Sequence, residues 1–130
     1  MLSSNPVRQA LTTGQFCYIV ELVASRLTRE AKLFQAASDL ARVPEVVAGS
    51  ITSYAGGSLG HDPIRVGTAA RARGLTPNIH ITCVNRDRAD ILRSLEDLHA
   101  LVYCPANNWT IRLNSRIMGH ASFSNCPGGF

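Results

Sequence analysis

The side chains that could perform chemistry stand in short segments where polar and apolar residues alternate. The clearest segment is Asn78, Ile79, His80, Ile81 and Thr82. Alternation with a period of two is typical of a β-strand with two different faces. Its polar row predicts either a solvent-facing sheet surface or a barrel interior near a ligand.

Two upstream segments carry polar groups at regular distances from this one. Glu21 lies near the end of a predicted strand at 15–22, and Thr52 ends a predicted strand at 46–52. Glu21, Thr52 and Thr82 are separated by 31 and 30 residues. This repeat length indicates parallel strands joined by right-handed crossovers. The polar groups are therefore expected at one end of a shared sheet.

Helices that would hold these strands in place are marked by capping residues. Thr28 is the predicted N-cap of the first helix, with Glu30 in its first turn, where the helix dipole favours an anion. Asp62 and Pro63 predict the start of the second helix, and Gly74 predicts its end. The chain therefore alternates strand and helix.

The third predicted helix completes a set of three βα units over residues 15–101. It begins at Asp87, which with Asp90 three residues later resembles a capping box. Residues 1–14 are small and polar and predict a loose lead-in.

The predicted fold class is α/β, with parallel βα repeats forming part of a TIM (β/α)8 barrel. In a barrel, alternate strand positions face the interior, and the row would hold Glu21, Ser50, Thr52, His80 and Thr82. A doubly wound sheet buries both faces and prefers uninterrupted apolar strands. The polar row therefore favours the barrel.

Composition predicts a single soluble, cytoplasmic domain. The chain has 130 residues, of which 45% are hydrophobic and 17% charged. No apolar run approaches the roughly 18–20 residues of a membrane span, and the first 13 residues lack the apolar core of a secretory signal. The four cysteines are far apart, which predicts reduced thiols and neither a disulfide framework nor a metal site.

The net charge of +4 comes largely from arginine, since Lys32 is the only lysine. Such a charge could attract an anionic partner. The arginines are nevertheless scattered among acidic residues in helical segments, with no aromatic residues interleaved as in single-strand binders. We therefore expect solvated helix faces and no nucleic-acid partner.

The ends of the three predicted strands resemble those of methylenetetrahydrofolate reductases over residues 16–101. The resemblance is carried by Val20-Glu21, Ser50-Ile51-Thr52-Ser53-Tyr54-Ala55-Gly56-Gly57 and His80-Ile81-Thr82-Cys83. That family consists of flavin-dependent barrel enzymes of one-carbon and methionine metabolism. The resemblance implies FAD as cofactor, NAD(P)H as hydride donor and 5,10-methylenetetrahydrofolate as substrate, reduced to 5-methyltetrahydrofolate.

The resemblance also implies a role for each matching residue. Glu21 matches the acid that protonates the folate nitrogen, and an apolar setting beside Ile19 would favour its protonated form. The alternative is a glutamate salt-bridged at a strand end. His80 matches a flavin-contacting histidine, and the alternative is a hydrogen-bonded interior histidine.

The remaining implied flavin contacts follow the second strand. Thr52 matches a threonine near the flavin and nicotinamide, and Ala55 matches without a gap. Either Ser53 or Tyr54 takes a tyrosine's flavin contact, according to where a gap is placed. Glycines 56, 57 and 60 predict a flexible loop, because Asp62 opposes a phosphate at the next helix start.

The sequence departs from the family after Leu101. Relatives have an aspartate at the end of a fourth strand, and ungapped counting places Arg112 there, which reverses the charge. Residues 102–130 predict an atypical tail, out-of-frame or disordered, although residues 110–113 could pair as a short strand. A barrel of about 250 residues would be half present. The alternative function is an inactive half barrel that associates with another chain, and open sheet edges predict homo-oligomerisation.

Overall fold

The computed structural model describes residues 5–52, 54, 58–83, 86–102, 110–115 and 119–124. Four helices and five strands lie within these ranges. In chain order they are α1 (Pro6–Thr13), β1 (Tyr18–Val23), α2 (Glu30–Leu40), β2 (Val46–Thr52), α3 (Pro63–Ala72), β3 (Pro77–Thr82), α4 (Arg88–Val102), β4 (Thr110–Ser115) and β5 (Gly119–Ser124). None of these helices has the length and apolar character needed to cross a membrane.

The five strands form one sheet whose spatial order, β1-β2-β3-β4-β5, is also their order in the chain. The pairs β1–β2, β2–β3 and β3–β4 are parallel, whereas β4–β5 is antiparallel. Parallel neighbours require a crossover connection, and α2, α3 and α4 provide it. As described, the sheet is open, with β1 at one edge and β5 at the other. The predicted α/β class with parallel βα repeats is confirmed.

One face of the sheet forms the hydrophobic core with the helices. The strands contribute Leu22, Ile51, Ile79 and Ile81, each at most 5% exposed. The helices and their connections contribute Leu33, Ala37, Val66, Ala70, Leu75 and Leu98. Burying one leucine or isoleucine side chain stabilises a fold by about 1.5–3 kcal/mol. This covered face therefore fixes the strands in register.

The start of α2 differs from the prediction, because Thr28 is not its N-cap. Arg29 occupies that position and makes no side-chain capping hydrogen bond. The Thr28 hydroxyl instead lies 2.9 Å from the Ser25 hydroxyl, and Ser25 Oγ accepts from the Leu27 amide at 3.3 Å. Serine and threonine hydroxyls compete in this way with helix capping. Glu30 does lie in the first turn, as predicted.

The predicted caps of α3 and α4 are present. Asp62 Oδ1 accepts from the Ile64 amide at 3.0 Å, and Pro63 occupies the first helical turn. Gly74 follows α3 with φ of 91°, a left-handed conformation that favours glycine. Asp87 Oδ1 accepts from the Asp90 amide at 2.8 Å. These contacts set where each helix begins at the carboxyl end of the sheet.

The predicted loose lead-in contains a capped helix instead. Asn5 Oδ1 accepts from the amides of Val7 at 3.0 Å and Arg8 at 3.2 Å, and Pro6 follows it in the first turn. Gly14 ends α1 with φ of 65°. An asparagine cap, a proline after it and a terminal glycine form a complete helix signal. That signal outweighs the polar composition of the segment.

The tail contributes backbone to the sheet. β4 pairs with β3 in parallel, and β5 pairs back onto β4. The strand considered for residues 110–113 is thus present and extends to Ser115. Other parts of the tail, residues 103–109, 116–118 and 125–130, lie outside the described residues.

Candidate functional site

Three sequence-predicted residues meet on the face of the sheet opposite the core. Glu21 is the register partner of Ser50, and Val23 is the partner of Thr52, so Glu21 and Thr52 leave neighbouring strands on the same side. His80 comes from the third strand. Since Leu22, Ile51 and Ile79 face the helices, the alternation of each strand directs these polar residues away from them.

The polar residues form a continuous hydrogen-bonded chain. Thr52 Oγ1 donates to Glu21 Oε1 at 2.6 Å. His80 Nδ1 lies 3.4 Å from Thr52 Oγ1, and His80 Nε2 lies 2.6 Å from Ser50 Oγ. We call Glu21, Thr52, His80 and Ser50 the polar chain. It joins side chains separated by about 30 residues in sequence and uses both nitrogens of the histidine.

Exposure changes along the polar chain from its carboxylate to its serine. Glu21 is exposed, Thr52 and His80 are half-buried, and Ser50 is buried. Ile19, which was expected to give Glu21 apolar surroundings, is itself 47% exposed. In the described part of the chain, the expected apolar setting for the carboxyl group is therefore not formed.

The loop after β2 is described only in part. Tyr54 is half-buried, whereas Ser53 and Ala55 lie outside the described residues, as do Gly56 and Gly57. Of the flavin contacts predicted at the end of β2 and in this loop, only Thr52 and Tyr54 are among the described residues.

Gly60 anchors the end of the same loop against the segment after β1. A Cβ at this position would lie 1.8 Å from the Ala24 carbonyl oxygen, so only glycine fits without a backbone shift. The next residue continues the contact, because the His61 amide donates to Ala24 O at 2.8 Å. Two loops at the carboxyl end of the sheet are thereby joined through their backbones.

A cluster of charged side chains reinforces this junction. His61 Nε2 donates to the Thr28 carbonyl at 2.7 Å. Its other nitrogen, Nδ1, lies 3.5 Å from Glu30 Oε1, which also pairs with Arg65. The cluster links the starts of α2 and α3, and so stabilises the rim beside the polar chain.

Asn78 is a buried polar residue with an unsatisfied atom. It is 8% exposed, and its Oδ1 has no hydrogen-bond partner among the residues that the structure describes. Asn78 and Ser50 are register partners on neighbouring strands. A buried unpaired acceptor costs about 1–3 kcal/mol, so this position favours a bound group that can interact with the amide.

Sequence reasoning placed Ser50 on the interior row but assigned it no role, and it gave none to Asn78. The missing signal was the combination of alternation and register. Ser50 precedes Thr52 by two residues and Asn78 precedes His80 by two, so both belong to the same face. The sequence pattern does not show how deeply Ser50 and Asn78 are buried or which groups they contact, because both depend on neighbouring strands.

Other features of the described residues lie away from this chemistry. A cavity of about 160 Å³ lies at the opposite end, bounded by α1, Phe16, Cys17 and Val47. Cys17 and Cys83 are free, half-buried thiols. Among the residues described, no group of three histidine, cysteine or acidic side chains is arranged to hold a metal ion.

Comparison with protein-family models, with curated proteins and with solved structures finds no match to this chain.

Proposed function

We propose that this chain is the first half of a methylenetetrahydrofolate reductase-like (β/α)8 barrel. Its proposed activity is FAD-mediated hydride transfer from NAD(P)H to 5,10-methylenetetrahydrofolate, giving 5-methyltetrahydrofolate. The observation that carries the proposal is the meeting of Glu21, Thr52 and His80 at the carboxyl ends of successive parallel strands. Enzymes of the barrel class have their active sites at this end.

The strand order supports the barrel over a doubly wound sheet. β1, β2, β3 and β4 are parallel neighbours in chain order, without a reversal of direction across the sheet. A doubly wound fold has such a reversal, and its ligand crevice lies there. A barrel instead continues in one direction, as β1 to β4 do, whereas β5, which is antiparallel to β4, departs from that pattern.

The groups on this face suit a flavin ring. Thr52 and His80 are half-buried, so they combine hydrogen-bonding groups with partial access from the face opposite the core cluster. Asn78 adds a buried amide oxygen without a partner, which an N–H group of a ligand would satisfy. Tyr54, and in the family's pattern Ser53 and Ala55, would complete the contacts. FAD, when bound, supplies the acceptor and donor of the hydride.

Glu21 has the proposed role of acid toward the folate. Its exposure leaves the carboxyl group accessible to a substrate, and Thr52 fixes one of its oxygens at 2.6 Å. Proton donation to the folate nitrogen opens the five-membered ring. A bound substrate and flavin would exclude water and favour the protonated carboxyl group.

The charge reversal at position 112 weakens cofactor binding in this proposal. Arg112 is the register partner of His80 on β4. The family has a carboxylate at the corresponding strand end. We therefore expect weak FAD binding by the isolated chain.

The test is a titration of the purified chain with FAD, followed by flavin fluorescence. Saturable quenching that His80→Ala weakens at least about tenfold supports the proposal, since loss of a hydrogen-bonding side chain of this kind costs about 1.4 kcal/mol or more. Ser38→Ala is the control, because the Ser38 hydroxyl donates to the Phe34 carbonyl within α2, away from the polar chain, and it should leave the affinity unchanged. Absence of any saturable binding at high FAD concentration would contradict it.

The second candidate function is a catalytically inactive half barrel that acts by association. It is favoured by the exposed edge strand β1, where Tyr18 is 52% and Ile19 47% exposed, next to Phe16 at 76%. Unpaired strand edges with apolar side chains promote pairing with another chain. Light scattering should give a mass above that of one chain, and Ile19→Lys should restore the monomer. A monomeric wild-type chain would contradict this function.

A further inference from the structure

We propose that the polar chain is also an acyl-transfer site, in which Ser50 is the nucleophile toward small activated carboxylic esters and His80 is its general base. Ser50 Oγ and His80 Nε2 lie 2.6 Å apart. This is the distance at which a base can remove a hydroxyl proton. Thr52 and Glu21 hold the other side of the imidazole ring.

One tautomer of the neutral ring is consistent with the contacts of the polar chain. The Thr52 hydroxyl has one hydrogen, which it donates to Glu21. A hydrogen on His80 Nδ1 would then be directed to Thr52 Oγ1, 3.4 Å away. In this tautomer Nε2 is an acceptor and takes the hydrogen of Ser50. The proposal requires this tautomer, because a general base needs a free lone pair on Nε2.

The same contacts stabilise the product of proton transfer. When Nε2 takes the Ser50 proton, the ring becomes an imidazolium with its Nδ1 hydrogen directed to Thr52. The Glu21 carboxylate polarises the Thr52 hydroxyl from the far side. Nucleophile, base and carboxylate thus follow the order of a serine-hydrolase triad, with a threonine hydroxyl between base and carboxylate.

Asn78 supplies the group that would stabilise the oxyanion. It is the register partner of Ser50, on a neighbouring strand about 4.8 Å away. Its amide is buried, and Oδ1 has no hydrogen-bond partner within the described part of the chain. A half-turn of the amide presents Nδ2 hydrogens in place of Oδ1, and an asparagine amide is an effective oxyanion donor.

The exposure of Ser50 bears on the substrate class. Ser50 is 8% exposed and lies on the face of the sheet opposite the core cluster. Because so little of the nucleophile is exposed, we expect a small acyl group attached to a good leaving group to reach it with the least steric hindrance.

The proposed step is balanced as follows. Ser50 Oγ forms a bond to the acyl carbon while its proton passes to His80 Nε2. The ester C–O bond then breaks and the phenolate departs, and the proton on Nε2 passes to the phenolate or to solvent, which returns the ring to its neutral form. A water molecule then attacks the acyl carbon and gives a proton to Nε2. The bond between Ser50 Oγ and the acyl carbon breaks, Oγ takes the proton from Nε2, and the carboxylic acid departs.

The test treats the flavin-free chain with p-nitrophenyl acetate and locates the acetyl group by peptide mass spectrometry. We expect acetylation at Ser50 with release of nitrophenolate. His80→Gln should lower the rate of this acetylation by about 100-fold or more, and Asn78→Ala by about 100-fold. Thr52→Val should lower it by about five- to tenfold, because its contact with the ring is long.

Ser38 is the matched control, since its hydroxyl donates to the Phe34 carbonyl at 3.1 Å and has no base. Ser38→Ala should leave the rate unchanged. The position of the acetyl group is read from the wild-type protein, so this part of the test does not depend on the folding of any variant. Acetyl groups found elsewhere but not on Ser50, or an equal rate of Ser50 acetylation in His80→Gln, would overturn the proposal. Because no flavin is present, either result is independent of the proposed reductase function.

Discussion

Neighbouring residues along each strand lie on opposite faces of the sheet, and the two faces have different chemistry. On β2, Ile51 is fully buried against the helices, whereas its neighbours Ser50 and Thr52 hydrogen-bond to His80 and Glu21 on the other side. The covered face is held by close packing of apolar groups, and the open face by directional bonds between polar groups. One short strand thus places its stabilising side chains on one face and its hydrogen-bonding side chains on the other.

This division predicts that substitutions on the covered face affect stability, whereas those on the open face mainly affect binding and proton transfer. Hydrophobic burial contributes through area, and the covered residues have almost no exposed surface. Polar contacts of half-exposed groups contribute little net stability, because water competes for them. Four substitutions, from the largest expected effect to the smallest, test this difference.

Ile51→Ala should have the largest effect. Removing a fully buried isoleucine leaves a cavity in the core, and we expect a loss of about 2–5 kcal/mol in the free energy of unfolding. Thermal unfolding followed by circular dichroism measures it. Val23→Ala is the control on the other face, where Val23 is 39% exposed. A similar loss for both would contradict the division between the faces.

Gly60→Ala should rank second. Its Cβ would meet the backbone oxygen of Ala24, which cannot move as a side chain can. The expected loss is about 3 kcal/mol, the upper end for overpacking. Gly14→Ala provides the comparison, because its added Cβ meets nothing within 4 Å and only its left-handed φ is unfavourable. Gly14→Ala should lower the free energy of unfolding by about 1–2 kcal/mol. If Gly14→Ala lowered it more than Gly60→Ala, the backbones at Gly60 and Ala24 would be able to move apart at little cost.

Thr52→Val should cost about 1 kcal/mol, because it removes the donor to Glu21 while keeping the side-chain volume. Chemical denaturation measures the change. Thr68→Val is the matched control, since Thr68 Oγ1 donates to the Ile64 carbonyl within α3 and belongs to neither face of the sheet. If Thr52→Val lowered the free energy of unfolding as much as Ile51→Ala, the hydrogen bonds of the polar chain would contribute as much stability as the hydrophobic core.

Glu21→Gln should have the smallest effect on stability, within about 0.5 kcal/mol, because the carboxyl group is exposed. Its effect on proton transfer should be large. In the proposed reductase, reduction of bound flavin by NAD(P)H should persist, while reduction of the folate falls by about 100-fold or more. If Glu21→Gln slowed flavin reduction and folate reduction equally, Glu21 would not be the proton donor to the folate.

The elements with strong local signals could be predicted from the sequence. Asp62 followed by Pro63, and Asp87 before Asp90, mark helix starts through contacts between near neighbours, and the structure contains those contacts. The regular spacing of the strand ends likewise predicted that Glu21, Thr52 and His80 meet. Spacing works here because each βα unit returns the chain to the same end of the sheet.

Features that depend on competition between local contacts could not be predicted as well. Thr28 has the residue type of an N-cap, yet Ser25 engages its hydroxyl. The asparagine and glycine around α1 were outweighed in the prediction by polar composition. β4 and β5 depend on pairing with β3, a partner distant in sequence, so their own residues carry only a weak signal.

The identity of spatial and sequential strand order has a consequence for synthesis on the ribosome. Each of β2, β3, β4 and β5 pairs with the strand made immediately before it. A nascent chain therefore never has to wait for a distant partner, since the growing edge is always the most recently emerged strand. Pairing across one βα unit, such as the 29 residues from Glu21 to Ser50, costs less chain entropy than pairing with a strand two units away. The sheet can assemble during translation by adding one strand at a time, with β1 as its fixed starting edge.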